Sequence, residues 1–430
     1  MRCPLRAKAL QYPDRSFLIS ASESISFLEA DLRCAGYQAA LADAGFLPGS
    51  RFPILLPVSP DAVCLLFACL RQKITLCPIN LRLPEGRIQE LLGFLDSENL
   101  YRELPTLGNE YVGDAEVDPA QMATLLFTSG SSGRPKLVPH RLDHHLSSAF
   151  SANAFAPLTA DDRWLCSLPF YHVGGLAILF RCVLAGAAVA FPEAGQGLVA
   201  SIRSLSPTHL SLVPTQLIRL LREGTPEGLK RILLGGAPVP ERLIAQAKSA
   251  GLPLATSYGM TETASQIAST LPEEEVKGAG RVMPHAEVKI SAEGEIWIKG
   301  DSVSDAFVDA EGWLHSGDRG RVEEGVLYVE GRMDRQFISG GENIQPEQIE
   351  QALMNLPGIS QAVVRPQDDE EFGQRPVAWV DAEWQEEWEQ ELRSVLPGYM
   401  LPVRYEKLPD GVGLKPTLKA LVKSKPEGKS

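Results

Sequence analysis

The chain has 430 residues, 44% of them apolar and 22% charged, with a formal net charge of −13. That length exceeds what one hydrophobic core usually serves, so two or more domains are expected. The acidic balance argues against a nucleic-acid surface and gives no sign of an anionic-membrane partner, while leaving room for a local cationic site that holds a small anion.

The first eight residues, Met1-Arg-Cys-Pro-Leu-Arg-Ala-Lys, lack the apolar core of a signal peptide. Residues 1 to about 150 then alternate helical and strand patterns: an amphipathic helix at 27–44, a strand at 51–57, a helix at 59–70 and a strand at 74–79. All seven cysteines (Cys3, Cys34, Cys64, Cys69, Cys77, Cys166 and Cys182) fall early in the chain, most in apolar runs, and none forms a C-x-x-C pair. Buried free thiols in a reducing compartment, and hence a cytoplasmic protein, are expected.

A buried strand at 122–127 runs into Thr128-Ser-Gly-Ser-Ser-Gly-Arg-Pro-Lys-Leu-Val138. Hydroxyls of Thr128, Ser129, Ser131 and Ser132 can donate to phosphate oxygens. Gly130 and Gly133 allow close backbone approach, and Lys136 adds a point charge. An ordinary Ser/Gly turn is the alternative for such a loop taken alone. It is not a P-loop, because Lys136 precedes Leu137 rather than Ser or Thr and Pro135 removes an amide donor.

The rhythm continues with strands near 164–168, 187–191, 209–213, 231–234 and 254–257. Helices are expected after Gly175 and at 197–204, 215–222 and 240–250. This alternation predicts parallel sheets covered by helices. Residues 173–191 form a 19-residue apolar run with a single charge, Arg181. A mid-membrane arginine is costly and three glycines interrupt the run, so a buried helix followed by a strand is predicted, with no stable membrane insertion. Arg181 is then a buried cation in need of an anionic partner, either a protein carboxylate or a ligand.

Three strand ends carry chemistry. Leu168-Pro-Phe-Tyr-His172 precedes the apolar helix; a lone histidine there is more often a satisfied core side chain than a catalytic group. Leu234-Gly-Gly-Ala-Pro-Val239 leaves room for a flat ring against backbone. Ser257-Tyr-Gly-Met-Thr-Glu-Thr263 places an aromatic, a hydroxyl and a carboxylate where open α/β sheets bind ligands. Tyr258 can stack on a base, Thr261 can meet a phosphate and Glu262 can hold Mg²⁺.

After about 280 the pattern changes to short antiparallel strands at 286–290, 295–299 and 325–329, a small sheet or barrel. His315-Ser-Gly-Asp318 offers a carboxylate suited to ribose hydroxyls. A more polar unit follows Gly331, with Gly331-Arg-Met-Asp-Arg335, Ile338-Ser-Gly-Gly-Glu-Asn-Ile-Gln-Pro346, a helix at 346–356, strands at 361–365 and 376–382, and a helix at 384–396. In that last helix Trp384, Trp388 and Leu392 share one face. Gly411-Val-Gly-Leu-Lys-Pro-Thr-Leu-Lys419 comes near the end, and the tail from Lys423 is expected to be disordered. No internal repeat is evident.

This ordered set of motifs, spanning Phe27 to about Leu421, resembles the acyl-adenylate-forming superfamily of acyl-CoA synthetases, adenylation domains and luciferases. The resemblance implies an α/β fold: a large N-terminal domain of parallel sheets covered by helices with a small barrel-like subdomain (1–331), a hinge (332–334), and a small mobile α+β C-terminal domain (335–430). It implies a two-step reaction in which a carboxylate attacks the α-phosphate of MgATP, after which a thiol, usually that of CoA, displaces AMP. By position, Thr128 to Lys136 would hold the β- and γ-phosphates, and Gly235, Gly236, Ala237 and Tyr258 would line the adenine slot. Thr261 would touch the α-phosphate, Glu262 would bind Mg²⁺, and Asp318 would hold the ribose with Arg332 nearby. Asp334 would be the hinge, Gly340 and Gly341 would line the thiol tunnel, and Lys415 would stabilise charge during adenylation. The family's lysine usually follows Gly directly, whereas Leu414 intervenes here, and Lys419 is a rival.

Where amino-acid-loading members usually carry Asp, this chain has Tyr171-His172. Its short length, Tyr258-Gly-Met-Thr-Glu-Thr-Ala-Ser265 and Gly340-Gly-Glu-Asn-Ile-Gln-Pro346 are similar to the o-succinylbenzoate–CoA ligases of menaquinone biosynthesis. On that resemblance His172, Gly259 and Arg181 would meet the acid, with Arg181 pairing the carboxylate that is not activated. Other aryl- or medium-chain acyl-CoA ligases, or a non-catalytic adenylate-binding relative, are the alternatives. The expected partners are a small carboxylic acid, ATP and CoA; a homo-oligomer is compatible with the sequence.

Overall fold

The computed structural model describes residues 1–108, 115–129 and 135–409. Short, largely apolar runs form its central strands. Arg231–Leu234 and His209–Leu212 are buried along their whole length, as parallel strands covered on both faces must be. The parallel order runs Leu254–Met260, Arg231–Leu234, His209–Leu212, Arg163–Leu165, Ala188–Ala190, Ser16–Ile19, with Ile232 opposite both Leu210 and Leu254. The antiparallel strand Ser24–Ser26 closes that edge. A second sheet places Arg51–Leu55, Thr75–Ile79 and Met122–Ser129 in parallel and adds Pro135–Arg141 antiparallel at its edge.

Leu254–Met260 joins the two styles of sheet. Its first half pairs in parallel with Arg231–Leu234, and its second half pairs antiparallel with Ser265–Ser269. From there the sheet continues through Gly280–Val282, Val326–Arg332, Leu314–Glu323, Glu295–Gly300 and Ala286–Ile290. These strands enclose an apolar cluster of their own around Ile267, Ile296, Ile298, Leu314 and Leu327, which makes the small subdomain expected after residue 280.

The apolar run at 173–191 is a helix, Val173–Ala185, and then a strand, Ala188–Ala190. Gly186 ends the helix in the left-handed conformation, φ +75°. Thirteen residues span about 20 Å at 1.5 Å each, short of the ~30 Å hydrocarbon layer. Among the described residues no helix is long and apolar enough to cross a membrane. All seven cysteines are free and buried.

A small C-terminal domain packs the helices Pro346–Asn355 and Glu386–Val395 against the three-stranded sheet Ala362–Asp369, Gly373–Val380, Arg404–Lys407. The last helix starts at Glu386 rather than at Trp384. Trp384 still faces the same apolar cluster as Trp388 and Leu392, because its ring stacks on Tyr405 with centroids 3.4 Å apart. At the start of this domain Arg335 bridges Glu347 (2.7 Å) and Glu350 (2.6 Å).

Candidate active site

Met122–Ser129 and Pro135–Arg141 form the two arms of a hairpin that sets Thr128 opposite Lys136. Lys136 is exposed, as a cation awaiting a soluble anion would be. Gly130, Ser131, Ser132 and Gly133 lie outside the described residues, as do Lys415 and Lys419.

Gly235, Gly236 and Ala237 follow the buried strand Arg231–Leu234. A Cβ at Gly235 would lie 2.6 Å from Ser257 Oγ, and Gly236 has φ +79°, so both positions favour glycine and leave a bare backbone surface. Ser257 leads into Tyr258, whose phenol donates to Asp318 Oδ2 at 2.6 Å. Asp318 Oδ1 accepts from Arg332 Nη1 at 3.1 Å, and Arg332 Nε reaches Asp334 Oδ1 at 3.3 Å. Burial raises the Asp318 carboxyl above the usual aspartate range, against the opposing pull of Tyr258 and Arg332. Burial, and then the charge of Asp318, push the Tyr258 phenol well above its ordinary value. Four residues singled out separately along the sequence are thus joined by direct contacts.

Thr261–Thr263 is one turn of 3₁₀ helix. The Thr261 carbonyl accepts from His140 Nε2 at 2.7 Å, and the Glu262 carbonyl accepts from the Ser304 amide at 2.8 Å. Ser304 Oγ donates in turn to the Pro139 carbonyl at 2.6 Å. Sequence reasoning missed His140 and Ser304. These contacts join segments far apart in the chain, and no local pattern announces them. Among the described residues the Glu262 carboxylate has no hydrogen bond or ion pair. A half-buried, unpartnered hard oxygen donor at this turn fits Mg²⁺.

Arg181 sits inside the helix Val173–Ala185 and is 2% exposed. No carboxylate pairs with it among the described residues. Its Nη2 donates to Ser265 Oγ at 3.1 Å, and its guanidinium lies 5.6 Å from the Trp164 ring centroid. Nε is buried without an acceptor. Burial, and next the charge of Arg231, draw its pKa down to about 9, so it remains a cation at neutral pH. Ser265 pairs with Met260 and Gln266 with Gly259, which brings Arg181 beside the Tyr258–Glu262 segment. His172 precedes the same helix as an exposed N-cap, its ring 4.7 Å from Tyr171. No described contact joins it to Arg181. Gly340 and Gly341, with φ +57° and +88°, make the turn between Phe337–Ser339 and Glu342–Ile344 and have no described contact with Tyr258, Asp318 or Arg332.

The profile of the AMP-binding enzyme family matches residues 5–101 and 94–307, and that of the AMP-binding enzyme C-terminal domain matches residues 348–411. A 2-succinylbenzoate–CoA ligase of Escherichia coli K12 is 33% identical over 414 residues, covering 90% of this chain and 89% of its own. Its counterpart from Bacillus subtilis 168 is 32% identical over 422 residues, 87% of each chain. Among solved structures, an arginine-to-lysine variant of E. coli MenE with bound OSB-AMS superposes with a TM-score of 0.87 at 31% identity, covering 98% of both chains. B. subtilis MenE in complex with ATP and magnesium ion gives 0.87 at 29% identity over 95% of this chain and 96% of that one.

Proposed function

The chain belongs to the AMP-binding enzyme family, and from that premise we propose that it is an ATP-dependent acid–CoA ligase whose acid is o-succinylbenzoate. The carboxylate oxygen of the acid attacks the α-phosphorus and diphosphate leaves. The thiol sulfur of CoA then attacks the acyl carbon, AMP leaves with the electrons of the broken C–O bond, and the thiol proton is released. The products are o-succinylbenzoyl-CoA, AMP and diphosphate.

The observation that carries the choice of acid is Arg181. A buried guanidinium without a described protein carboxylate suits a diacid, of which only one carboxylate is activated. Tyr258, Gly235, Gly236 and Ala237 take the adenine, and Asp318 with Arg332 takes the ribose. Thr128, Lys136 and the loop between them take the outer phosphates, and Thr261 takes the α-phosphate. Glu262 holds Mg²⁺, which when bound neutralises phosphate charge. Catalysis in this chain is then positioning plus charge neutralisation, with no covalent enzyme intermediate. Asp334, contacted by Arg332, is the hinge between residues 1–331 and 335–430. Rotation about it brings Lys415 to the α-phosphate for adenylation and Gly340 and Gly341 to the thiol for transfer. His172 and Gly259 border the acid. ATP- and CoA-dependent chemistry, with seven buried free thiols, fits a cytoplasmic location.

The test is CoA-dependent AMP release by the purified protein with MgATP and o-succinylbenzoate, benzoate or octanoate. Turnover with o-succinylbenzoate alone is expected. Turnover confined to benzoate or octanoate would keep the reaction and overturn the acid and the role of Arg181.

A further inference from the structure

The carbonyls of the 3₁₀ turn Thr261–Thr263 can each accept two hydrogen bonds, and that of Thr261 already takes one from the Ala264 amide at 3.1 Å. Two consecutive ones are bound from two different segments. His140 reaches Thr261 from the returning arm of the phosphate hairpin, and the Ser304 amide reaches Glu262 from the segment between Glu295–Gly300 and Leu314–Glu323. The Ser304 hydroxyl closes the circuit by donating to Pro139, the neighbour of His140. Pro135–Arg141 is an edge strand, so some of its carbonyls face away from the sheet and need partners of this kind.

We propose that His140 and Ser304 are positioning residues for adenylation, forming a brace that fixes the Thr261–Glu262 turn at a set distance from the phosphate-gripping hairpin. The inference rests on the reading of Thr261 as the α-phosphate contact and Glu262 as the Mg²⁺ ligand.

Both side chains are fully buried, at 0% exposure, so neither is a free ligand group. Thr261 presents a carbonyl, so His140 Nε2 must carry the proton and Nδ1 must be bare; Nδ1 is buried with no donor. Burial holds the ring's pKa down at about 4, and so the neutral tautomer persists at physiological pH. His145 packs beside it, with rings 5.0 Å apart, and is itself tied to Thr124 at 2.9 Å. The donor is therefore held from behind by a rigid neighbour. A displacement of about 1 Å at a phosphoryl-transfer site can cost on the order of 100-fold in rate.

The experiment compares His140→Leu, His140→Gln and Ser304→Ala in two half-reactions. Gln places an amide donor near the position of Nε2, whereas Leu offers none. In His140→Leu, diphosphate release from ATP with the activated acid should fall on the order of 10- to 100-fold in kcat, with KM for the acid little changed. Conversion of a supplied acyl-adenylate by CoA should be spared, His140→Gln should recover most of the loss, and Ser304→Ala should fall between. A loss of thermal stability with unchanged adenylation kcat per folded molecule would overturn the proposal. Calorimetry of ATP binding with and without Mg²⁺ needs no acid. The Mg²⁺-dependent gain in affinity should shrink about tenfold in His140→Leu, in line with the cost of one lost charge-positioning contact, and an unchanged gain would overturn the brace. A wild-type protein that releases no diphosphate with o-succinylbenzoate refutes the acid, while the binding ratio still decides the brace.

Discussion

Tyr258 donates to Asp318 across 2.6 Å although three strands, Ser265–Ser269, Gly280–Val282 and Val326–Arg332, lie between their own strands in the sheet order. A direct contact across three strands requires the antiparallel end of the sheet to curl back on itself. That curl brings the expected adenine and ribose residues to one point, with Arg332 and then Asp334 in line behind them. Tyr258→Phe removes one hydrogen bond but leaves Asp318 paired with Arg332. It should cost about 1–2 kcal/mol of stability and raise KM for ATP several-fold. Asp318→Asn weakens the proposed ribose contact and leaves Arg332 one anion short, so it should raise KM for ATP by at least about tenfold. Steady-state kinetics in ATP and thermal melts check both. An unchanged KM in Asp318→Asn would place the ribose elsewhere.

Arg181 separates binding from stability. Removing one partner of a buried ion pair typically costs about 3–5 kcal/mol, whereas replacing an unpaired buried charge by an apolar side chain of similar volume is neutral or stabilising. With no carboxylate beside it among the described residues, Arg181→Met should leave the melting temperature unchanged or raised. Arg181→Ala should raise KM for o-succinylbenzoate on the order of 100-fold, while any residual activity on a simple aryl acid survives. Equal losses on both acids would sink the idea of a second-carboxylate contact.

Four buried histidines and a half-buried one, His285, give stability a pH dependence. Burial draws His140, His144, His209 and His285 down to about 4, and draws His145 well below its ordinary value. Their folded-state values lie below the unfolded value of about 6.5, so as pH falls the unfolded chain takes up protons first. The associated stability is fully present above about pH 6.5 and is lost as pH falls toward 4, by up to about 1.4 kcal/mol per pH unit for each histidine. Urea unfolding at pH 8, 6.5 and 5 should show a shallow decline between the first two and a steep decline at the third. A flat profile to pH 5 would mean that these rings gain partners on protonation.

The parallel half of the fold was legible because strands buried on both faces read as short, mostly apolar runs, such as Ile232 to Leu234. The lone charge of Arg181 inside such a run was equally visible. What hid was tertiary in origin. Pro135 and Pro139 argue against a strand, and Pro135–Arg141 exists because an edge position tolerates them. The helix Leu142–Phe155 escaped notice because its first turns carry His144 and His145 rather than an apolar stripe. The Thr261–His140 contact joins a backbone carbonyl to a side chain 121 residues away, which no periodicity encodes. The absence of a carboxylate near Arg181 among the described residues is likewise a property of packing, which no sequence pattern shows.

Lys415 lies outside the described residues, so its role is tested by chemistry. Lys415→Ala should lose adenylation by on the order of 100-fold or more, the scale of removing one preorganised charge from a transition state. It should still convert a supplied acyl-adenylate with CoA. If both half-reactions survive, Lys419→Ala becomes the variant that must fail.

Gly174 and Gly175 make a paired test of the turn that delivers His172 and the Arg181 helix. A Cβ at Gly175 would meet the Pro169 carbonyl oxygen at 2.2 Å and its carbon at 2.7 Å, both backbone atoms that cannot swing aside. A Cβ at Gly174 would meet only Leu168 Cδ1, at 3.2 Å, the far end of a flexible side chain. Helix propensity alone favours alanine over glycine by about 1 kcal/mol at either position. Gly174→Ala should therefore be tolerated or slightly stabilising. In Gly175→Ala the clash outweighs propensity, pushing residues 168–172 off the helix start and costing about 2 kcal/mol or more, as overpacking against an unyielding neighbour does. Thermal melts rank the two variants. KM for the acid should rise in Gly175→Ala alone, since 168–172 borders the proposed acid site, and equal behaviour of the two variants would mean that this segment yields more freely than its contacts imply.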